Sequence, residues 1–202
     1  GRVAAAAGTG VAAAASAEPG RVRDLRRLTA EAWRTEFATP GPRREMIAVT
    51  RIGRAEIEAE PHGIALAGPT IEALHLAGLV GPEEMDTPGS TAFEQTVATY
   101  ARACETATAH CWILTDANGR ADQLATGRAW VRMHQAATAG GLACHPLSQA
   151  LQEFPEMAGH RRAVHALLGA QGRTLQMLAR LGHAEAPAPS PRWPLESRLI
   201  PA

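Results

Sequence analysis

The sequence predicts a single domain of the α+β class, in which about six or seven helices pack against three short strands. Apolar residues recur at helical spacing through much of the chain, as Val22, Leu25 and Leu28 do before Trp33. Three shorter apolar runs are typical of strands: residues 112–114, 142–144 and 174–181. A chain of 202 residues with 46% hydrophobic content is large enough to bury one core.

The two ends of the chain differ in composition from its middle. Residues 1–18 are mostly Ala and Gly, which predicts a poorly ordered segment, a frayed helix followed by a loop. From about residue 186 onward, prolines at positions 187, 189, 191 and 194 exclude a helix and predict an extended tail. Residues 19–202, with this tail, are predicted to form the single folded domain.

A long helix over residues 120–139 is the element around which the rest is organised. Between residues 129 and 142, apolar side chains occur on almost every side, which is typical of a buried helix. One polar row remains, at the spacing of a single helix face: Arg128, Arg132 and Gln135. Glycines at 140 and 141 end the helix. The strand that follows leads into a polar loop at 145–149, which suits a ligand site and equally suits a plain connection.

Composition excludes several classes of function. The chain has 20 basic and 20 acidic residues and a net charge of +0, so we expect no nucleic-acid partner. Every basic residue is Arg, which excludes chemistry that needs a lysine amine. The 3 cysteines lack C-x-x-C spacing and suit a reducing cytoplasm rather than a disulfide framework. No apolar run is long enough to span a bilayer, so we expect no membrane partner.

Motifs for hydrolytic and metal chemistry are missing from the sequence. The 8 histidines do not occur as H-E-x-x-H or as a facial triad, so no metal ligand is assigned. There is no G-x-S-x-G, and Ser148 has no recognisable base near it in sequence. The Gly-Thr-Gly at 8–10 lacks the third glycine and the preceding strand of a phosphate-binding loop. No catalytic residue is assigned either.

A series of segments follows the order and spacing of one known family. The segments are the Ala-rich helix with Gln123, the Gly-Leu pair at 141 and 142, and LQEFPEM at 151–157, QMLARLG at 176–182, PRWPLESR at 191–198, WRTE at 33–36 and the Gly-Ile to Gly-Pro stretch at 63–69. Together they resemble the nitroreductase superfamily, most closely its Acg-like branch, over roughly residues 20 to 200.

The resemblance implies a fold and a function. The fold is nitroreductase-like, with helices packed on a small, mainly antiparallel sheet that earlier elements complete together with a partner half or a second subunit in a homodimer. The implied function is an FMN-binding oxidoreductase that transfers hydride from NAD(P)H to nitro or quinone-type acceptors. Two alternatives stay open: a protein that binds or sequesters flavin without turnover, and a helical interaction module with an empty site.

The resemblance also implies the residues that would hold FMN. The loop after the 142–144 strand meets the flavin ring, and it contains Pro146, Leu147, Ser148 and Gln149. Because proline has no N–H, backbone donors are expected from Leu147 onward. A late-chain arginine holds the FMN phosphate, which matches Arg192 here, with Arg198 as a further candidate. Loop capping by Ser148 and Gln149, and a solvated tail charge at Arg192, are the structural alternatives.

Two segments of the family pattern are missing. The phosphate-binding Arg-x-Ser-x-Arg type segment near the N-terminus is not found, and neither is the Pro-Ser-x-x-Asn/Gln segment that follows it. The arginine-rich segment near the N-terminus contains no serine; its arginines are Arg21, Arg23, Arg26 and Arg27. We therefore expect this chain to correspond to the later part of an Acg-like protein, with an incomplete fold that lacks the N-terminal flavin-binding segment.

Overall fold

A computed structural model describes residues 1–199 and confirms the α+β class. The helices are α1 Arg2–Ala5, α2 Pro19–Ala38, α3 Pro40–Ala48, α4 Gly53–Ala59, α5 Pro69–Leu76, α6 Pro82–Asp86, α7 Thr91–Glu105, α8 Arg120–Ala139 and α9 Ala158–Leu167. The strands are β1 Ala12–Ser16, β2 Thr50–Ile52, β3 Ile64–Leu66, β4 Ala109–Thr115, β5 Ala143–Pro146 and β6 Thr174–Gly182. Three short 3-10 turns complete the described part: Gln149–Leu151, Pro155–Met157 and Leu195–Arg198.

The main sheet has four strands in the order β1-β4-β6-β5, and every neighbouring pair is antiparallel. This confirms the predicted small, mainly antiparallel sheet. Strand β4 is buried at every position after its first residue, because it lies inside the sheet and is covered on both faces. Strands β2 and β3 form a separate two-stranded parallel sheet.

The Ala-rich start of the chain differs from its prediction. Instead of a frayed helix and a loop, it contains α1 and then β1, which pairs with β4 from Ala12 opposite Leu114 to Ser16 opposite His110. Alanine is depleted in strands compared with β-branched residues, but pairing with a buried neighbouring strand overrides this low propensity. Successive alanines of β1 pack against the two opposite faces of the sheet, as a period of two requires.

The chain forms two compact units. The first comprises residues 1–36 and 99–186, and the second comprises residues 37–98 with the tail from 187. In the first unit, one face of the sheet packs on a cluster that includes Trp112 and Leu178, and the other face packs on a cluster that includes Ile113 and Met133. These two clusters give the first unit a core on each side of the sheet. The division into domains made from the sequence stays a prediction.

Helix α8 has the predicted bounds, but it is not buried all round. Its buried residues follow one stripe: Thr126, Ala129, Met133 and Ala137. Leu124 and Val131 are 51% and 52% exposed, and the predicted polar row is exposed as well. The helix covers a single face of the sheet, so only the stripe toward the sheet is removed from water.

Within residues 1–199, every helix is too short or too polar to cross a bilayer.

The second unit has a small core of its own, with Ile47, Ile52 and Met85 at its centre. Beside this core, the Arg43 side chain is only 5% exposed. Its Nε donates to Asp86 at 2.7 Å, and its Nη1 donates to the carbonyls of residues 37 and 38. A buried guanidinium is tolerated here because its donors meet a carboxylate and two carbonyls.

Candidate functional site

The predicted loop begins later than expected, because β5 continues through His145 and Pro146. Leu147 is 0% exposed, and its amide donates to the Leu178 carbonyl at 2.8 Å. This bond extends the contact between β5 and β6 by one residue. The Leu147 amide is therefore not the free ring donor that the sequence analysis expected, because β6 already uses it.

Ser148 and Gln149 differ in their surroundings. Ser148 is exposed, whereas Gln149 is 9% exposed and lies in a 3-10 turn. The Gln149 side-chain amide donates from Nε2 to the Tyr100 hydroxyl at 3.1 Å. Its Oε1 atom is buried and has no hydrogen-bond partner among residues 1–199. Gln149 thus anchors the loop to α7 and keeps one acceptor unused.

A half-buried carboxyl group lies behind this loop. The Gln152 side-chain amide donates to Glu36 on α2. Burial raises the pKa of Glu36, and hydrogen bonds from Gln152 and Gln149 offset part of that increase. A carboxyl group in this setting holds its proton to a higher pH than an exposed one does. Glu36 is therefore a carboxyl group in direct contact with Gln152, close to the end of the loop.

Aromatic rings surround the same network. The Tyr100 ring lies 4.4 Å from Trp33 and 5.6 Å from His145, measured between ring centroids. Burial raises the pKa of Tyr100, so its hydroxyl stays protonated and accepts from Gln149. Trp33 and Glu36 are three residues apart on α2 and share a helix face.

His145 is held by an arginine on the neighbouring strand. Arg180 Nε donates to His145 Nδ1 at 3.0 Å, and Arg180 Nη1 donates to the Ala103 carbonyl at 2.6 Å. Because Nδ1 accepts, the proton of the neutral imidazole lies on Nε2. Burial, helped by the Arg180 charge, lowers the pKa of His145. The His145 ring is therefore neutral near pH 7.

The two arginines predicted to bind phosphate belong to the tail of the second unit. Both are exposed. The Arg198 guanidinium stacks over the Trp193 ring at 4.2 Å, and Arg192 Nη1 donates to the Pro191 carbonyl at 2.9 Å. The loop residues 146–149 belong to the first unit. The structure thus groups the loop with Tyr100 and the arginines with Trp193, and the phosphate role of the arginines stays a prediction.

Sequence reasoning missed the groups that hold the loop: Glu36, Tyr100, Gln152 and Arg180. Two weak signals were present. Tyr100 is the only tyrosine in the chain, and Glu36, Gln152 and Arg180 each lie inside one of the family-like segments. Neither signal identifies the contacts of these residues, because the hydrogen-bond partners of Gln149 and Gln152 are 49 and 116 positions away in sequence.

Comparisons with known proteins support the fold. No protein-family model matches the chain, and no curated protein matches it. Among solved structures, it is similar to the FMN-dependent nitroreductase NfnB from Mycobacterium smegmatis in complex with NADPH, with 20% identity and a TM-score of 0.52 over 99% of this chain and 86% of that one. A nitroreductase-like family protein from Bacillus cereus has 15% identity and a TM-score of 0.38, over 55% of this chain and 61% of that one. The likeness to the first structure shows that the chain has a nitroreductase-like fold.

Proposed function

We propose that this protein is an FMN-binding oxidoreductase that transfers hydride from NAD(P)H to a nitro or quinone-type acceptor. The observation that carries the proposal is the nitroreductase-like fold, which extends over 99% of the chain. The similar structure is an FMN-dependent nitroreductase in complex with NADPH, which supports both FMN and NAD(P)H as ligands here. The family-like segments support placing the chain in the Acg-like branch.

We expect the loop after β5 to meet one edge of the flavin ring. Gln149 Oε1 is a buried acceptor without a partner among the described residues, and the flavin ring carries an N–H that such an acceptor binds. Pro146 has no donor, and the Leu147 amide is already bonded to β6. Ser148 and Gln149 are therefore the loop residues that we expect to meet the ring.

The phosphate of FMN needs a donor with several N–H groups. A guanidinium binds phosphate with a fork of parallel hydrogen bonds, which a lone amide cannot do. Arg192 and Arg198 are exposed and present such groups from the tail of the second unit. We propose Arg192 as the phosphate ligand and Arg198, which already stacks on Trp193, as the weaker candidate.

The protein's own groups would hold the loop and shield it from water. When bound, FMN supplies the chemistry of hydride transfer. Tyr100 positions Gln149 through its hydroxyl, and Glu36 positions Gln152 through its carboxylate. The raised pKa of Glu36 lets its carboxyl group hold a proton close to the loop. The Trp33 ring packs against the ring of Tyr100.

Two other functions stay in view. A protein that binds or sequesters flavin without turnover is favoured by the composition of the loop, because residues 146–149 contain no titratable side chain. A helical interaction module with an empty site is favoured by Leu124 and Val131, which lie exposed on α8. The same exposed pair supports a homodimer as part of the main proposal.

The three free cysteines, Cys104, Cys111 and Cys144, support a cytoplasmic location.

The first test is the visible absorption spectrum of the purified protein, recorded again after NADPH is added without oxygen. We expect flavin bands that bleach. Bands that persist would indicate flavin binding without turnover. If no bands remain after soaking in FMN and desalting, the proposal is wrong and the interaction module is the better reading.

A variant pair ties the spectrum to the loop. Gln149→Leu removes the unused acceptor, and we expect it to weaken FMN binding by about tenfold. Gln135→Leu makes the same change on the exposed face of α8 and serves as the matched control. Equal FMN affinity in the two variants would show that the ring does not bind at Gln149.

A further inference from the structure

A polar row crosses all four strands of the main sheet. Ser16 on β1 lies opposite His110 on β4, His110 lies opposite Arg180 on β6, and Arg180 lies opposite His145 on β5. Directly opposed residues of antiparallel strands point to the same face. One side of the sheet therefore has a transverse line of Ser, His, Arg and His, which packing of an apolar core does not require.

The positive charge in this row has no counter-ion in the described part of the chain. Arg180 donates to His145 and to the Ala103 carbonyl, and neither acceptor is an anion. Arg26 on α2 donates from Nε to the Ala107 carbonyl at 2.6 Å, again without a carboxylate. Elsewhere in the first unit, Arg34 and Arg173 each pair with a carboxylate at 2.7 and 2.9 Å.

His110 adds a second unsatisfied group to the row. It is 0% exposed, and neither of its ring nitrogens has a hydrogen-bond partner within residues 1–199. Burial, together with the charges of Arg26 and Arg180, lowers the pKa of His110 to about 4. Both arginine charges act on the same buried ring, so the field at this end of the sheet is positive.

A groove opens beside Arg180. It has a volume of about 290 Å³, and its polar side chains include Arg180, His145, His183, Thr106 and Thr108. None of its lining residues is acidic, and several are small, which leaves room around the guanidinium. A water molecule occupies roughly 30 Å³ of liquid, so the groove has space for a tetrahedral oxyanion and its hydration.

We propose that this groove binds the phosphate group of a small phosphate compound, with Arg180 as the principal ligand and His183 at the rim. Arginine suits this task because its remaining N–H groups form a fork toward phosphate while Nε and Nη1 are held by the protein. The phosphate is either free in solution or the end of a mononucleotide. The site does not depend on the proposed oxidoreductase function, because no residue of the predicted FMN set lines it.

The test is a calorimetric titration of the whole protein with inorganic phosphate, at constant ionic strength and with chloride as the reference anion. We expect saturable binding to the wild type. Arg180→Gln should weaken it by at least about tenfold, because a charge-assisted hydrogen bond is lost. Arg173→Gln removes the same charge next to β6 and should bind as the wild type does. Absence of saturable binding, or equal affinity in the two variants, overturns the proposal.

A rim variant keeps the test valid if Arg180→Gln does not fold. His183 is exposed, and His183→Glu places a carboxylate at the mouth of the groove without touching the core. His134→Glu makes the same change on the exposed side of α8 and is the matched control. We expect weaker phosphate binding by at least about tenfold in His183→Glu alone. Equal binding in this pair would also overturn the site.

Competition identifies the source of the phosphate. If the groove takes the phosphate end of a mononucleotide, adenosine monophosphate should displace inorganic phosphate and adenosine should not. If it takes a free anion, adenosine monophosphate should leave the binding of inorganic phosphate unchanged. Both outcomes require the saturable phosphate binding described above. If the protein binds phosphate but no flavin, the phosphate site is supported and only the oxidoreductase proposal is wrong.

Discussion

The side-chain amide of Gln149 donates a hydrogen bond of 3.1 Å to the hydroxyl of Tyr100, and this bond ties the loop after β5 to helix α7. Gln149 is 9% exposed, so little water is available to replace Tyr100 as its partner. Local structure alone would leave a short loop free to move. The position of the loop therefore depends on a residue that lies 49 positions earlier in the chain.

Tyr100→Phe should loosen this loop. The change keeps the ring beside Trp33 and removes the acceptor of the Gln149 amide, which leaves a buried donor unsatisfied. We expect the free energy of unfolding to fall by about 1–3 kcal/mol. Thr138→Ala deletes an exposed hydroxyl on α8 and should change it by less than about 0.5 kcal/mol. Urea denaturation of both variants measures the difference, and equal stability would mean that the bond does not hold the loop.

Glu36→Gln should remove a pH-dependent cost. Burial raises the pKa of Glu36 in the folded state, so the folded state binds the proton more tightly than the unfolded state. The stability that protonated Glu36 contributes is fully present below the pKa of about 4.3 that the group has in the unfolded chain. This contribution is lost as the pH rises through the higher pKa of Glu36 in the folded state. The variant should therefore be at least as stable as the wild type at pH 7, with a flatter dependence between pH 4 and 7. Urea denaturation across that range measures it, and a variant less stable than the wild type at pH 7 would contradict the raised pKa.

His110 should make the fold sensitive to acid. Its pKa falls from the ordinary value near 6.5 to about 4 in the folded state, so the unfolded chain takes up a proton first as pH decreases. The stability that the neutral His110 ring contributes is fully present above pH 6.5. As the pH falls from 6.5 to 4, the free energy of unfolding decreases by up to about 3 kcal/mol. His110→Leu should abolish this loss without destabilising the protein at pH 7, because both ring nitrogens lack partners among the described residues. Thermal unfolding from pH 4 to 7 tests it, with His134→Leu as the exposed control; an unchanged pH profile in His110→Leu would rule the residue out.

Arg43→Lys should destabilise the second unit far more than Arg44→Lys. Both arginines donate from Nε to Asp86, at 2.7 and 2.9 Å, but their side chains are 5% and 69% exposed. A lysine cannot make the three contacts of the buried guanidinium, so we expect a cost of about 3–5 kcal/mol at position 43. At position 44 we expect less than about 1 kcal/mol. Similar chemical denaturation midpoints for the two variants would refute the buried role of Arg43.

Met133→Ala should show which face of α8 carries its stability. Met133 is 0% exposed, and its loss leaves a cavity against the sheet, so we expect about 2–5 kcal/mol of destabilisation. Val131→Ala shortens a side chain on the same helix that is 52% exposed, and should cost less than about 0.5 kcal/mol. The melting temperatures of the two variants give the comparison. A large loss at Val131 instead would indicate that a second copy of the chain covers this face.

Elements with a strong local pattern could be predicted from the sequence. Helix α8 has the predicted bounds of 120 and 139 because a glycine pair ends a long helical run. Strands β4 and β6 contain the predicted segments, since their apolar residues lie next to one another in sequence. The same local reasoning failed for residues 12–16, where alanine alone does not indicate a strand.

The sequence by itself determined the α+β class, the long helix, the central strands and the presence of a loop after the short strand that follows the helix, because each depends on neighbours within a few residues. Only the tertiary structure decided what those parts meet. It pairs β1 with β4, commits the Leu147 amide to Leu178, and brings Glu36 to Gln152. It also aligns Arg180 with His110 and His145 in one row. These contacts join residues far apart in sequence, and no local pattern records the register or the burial that brings them together.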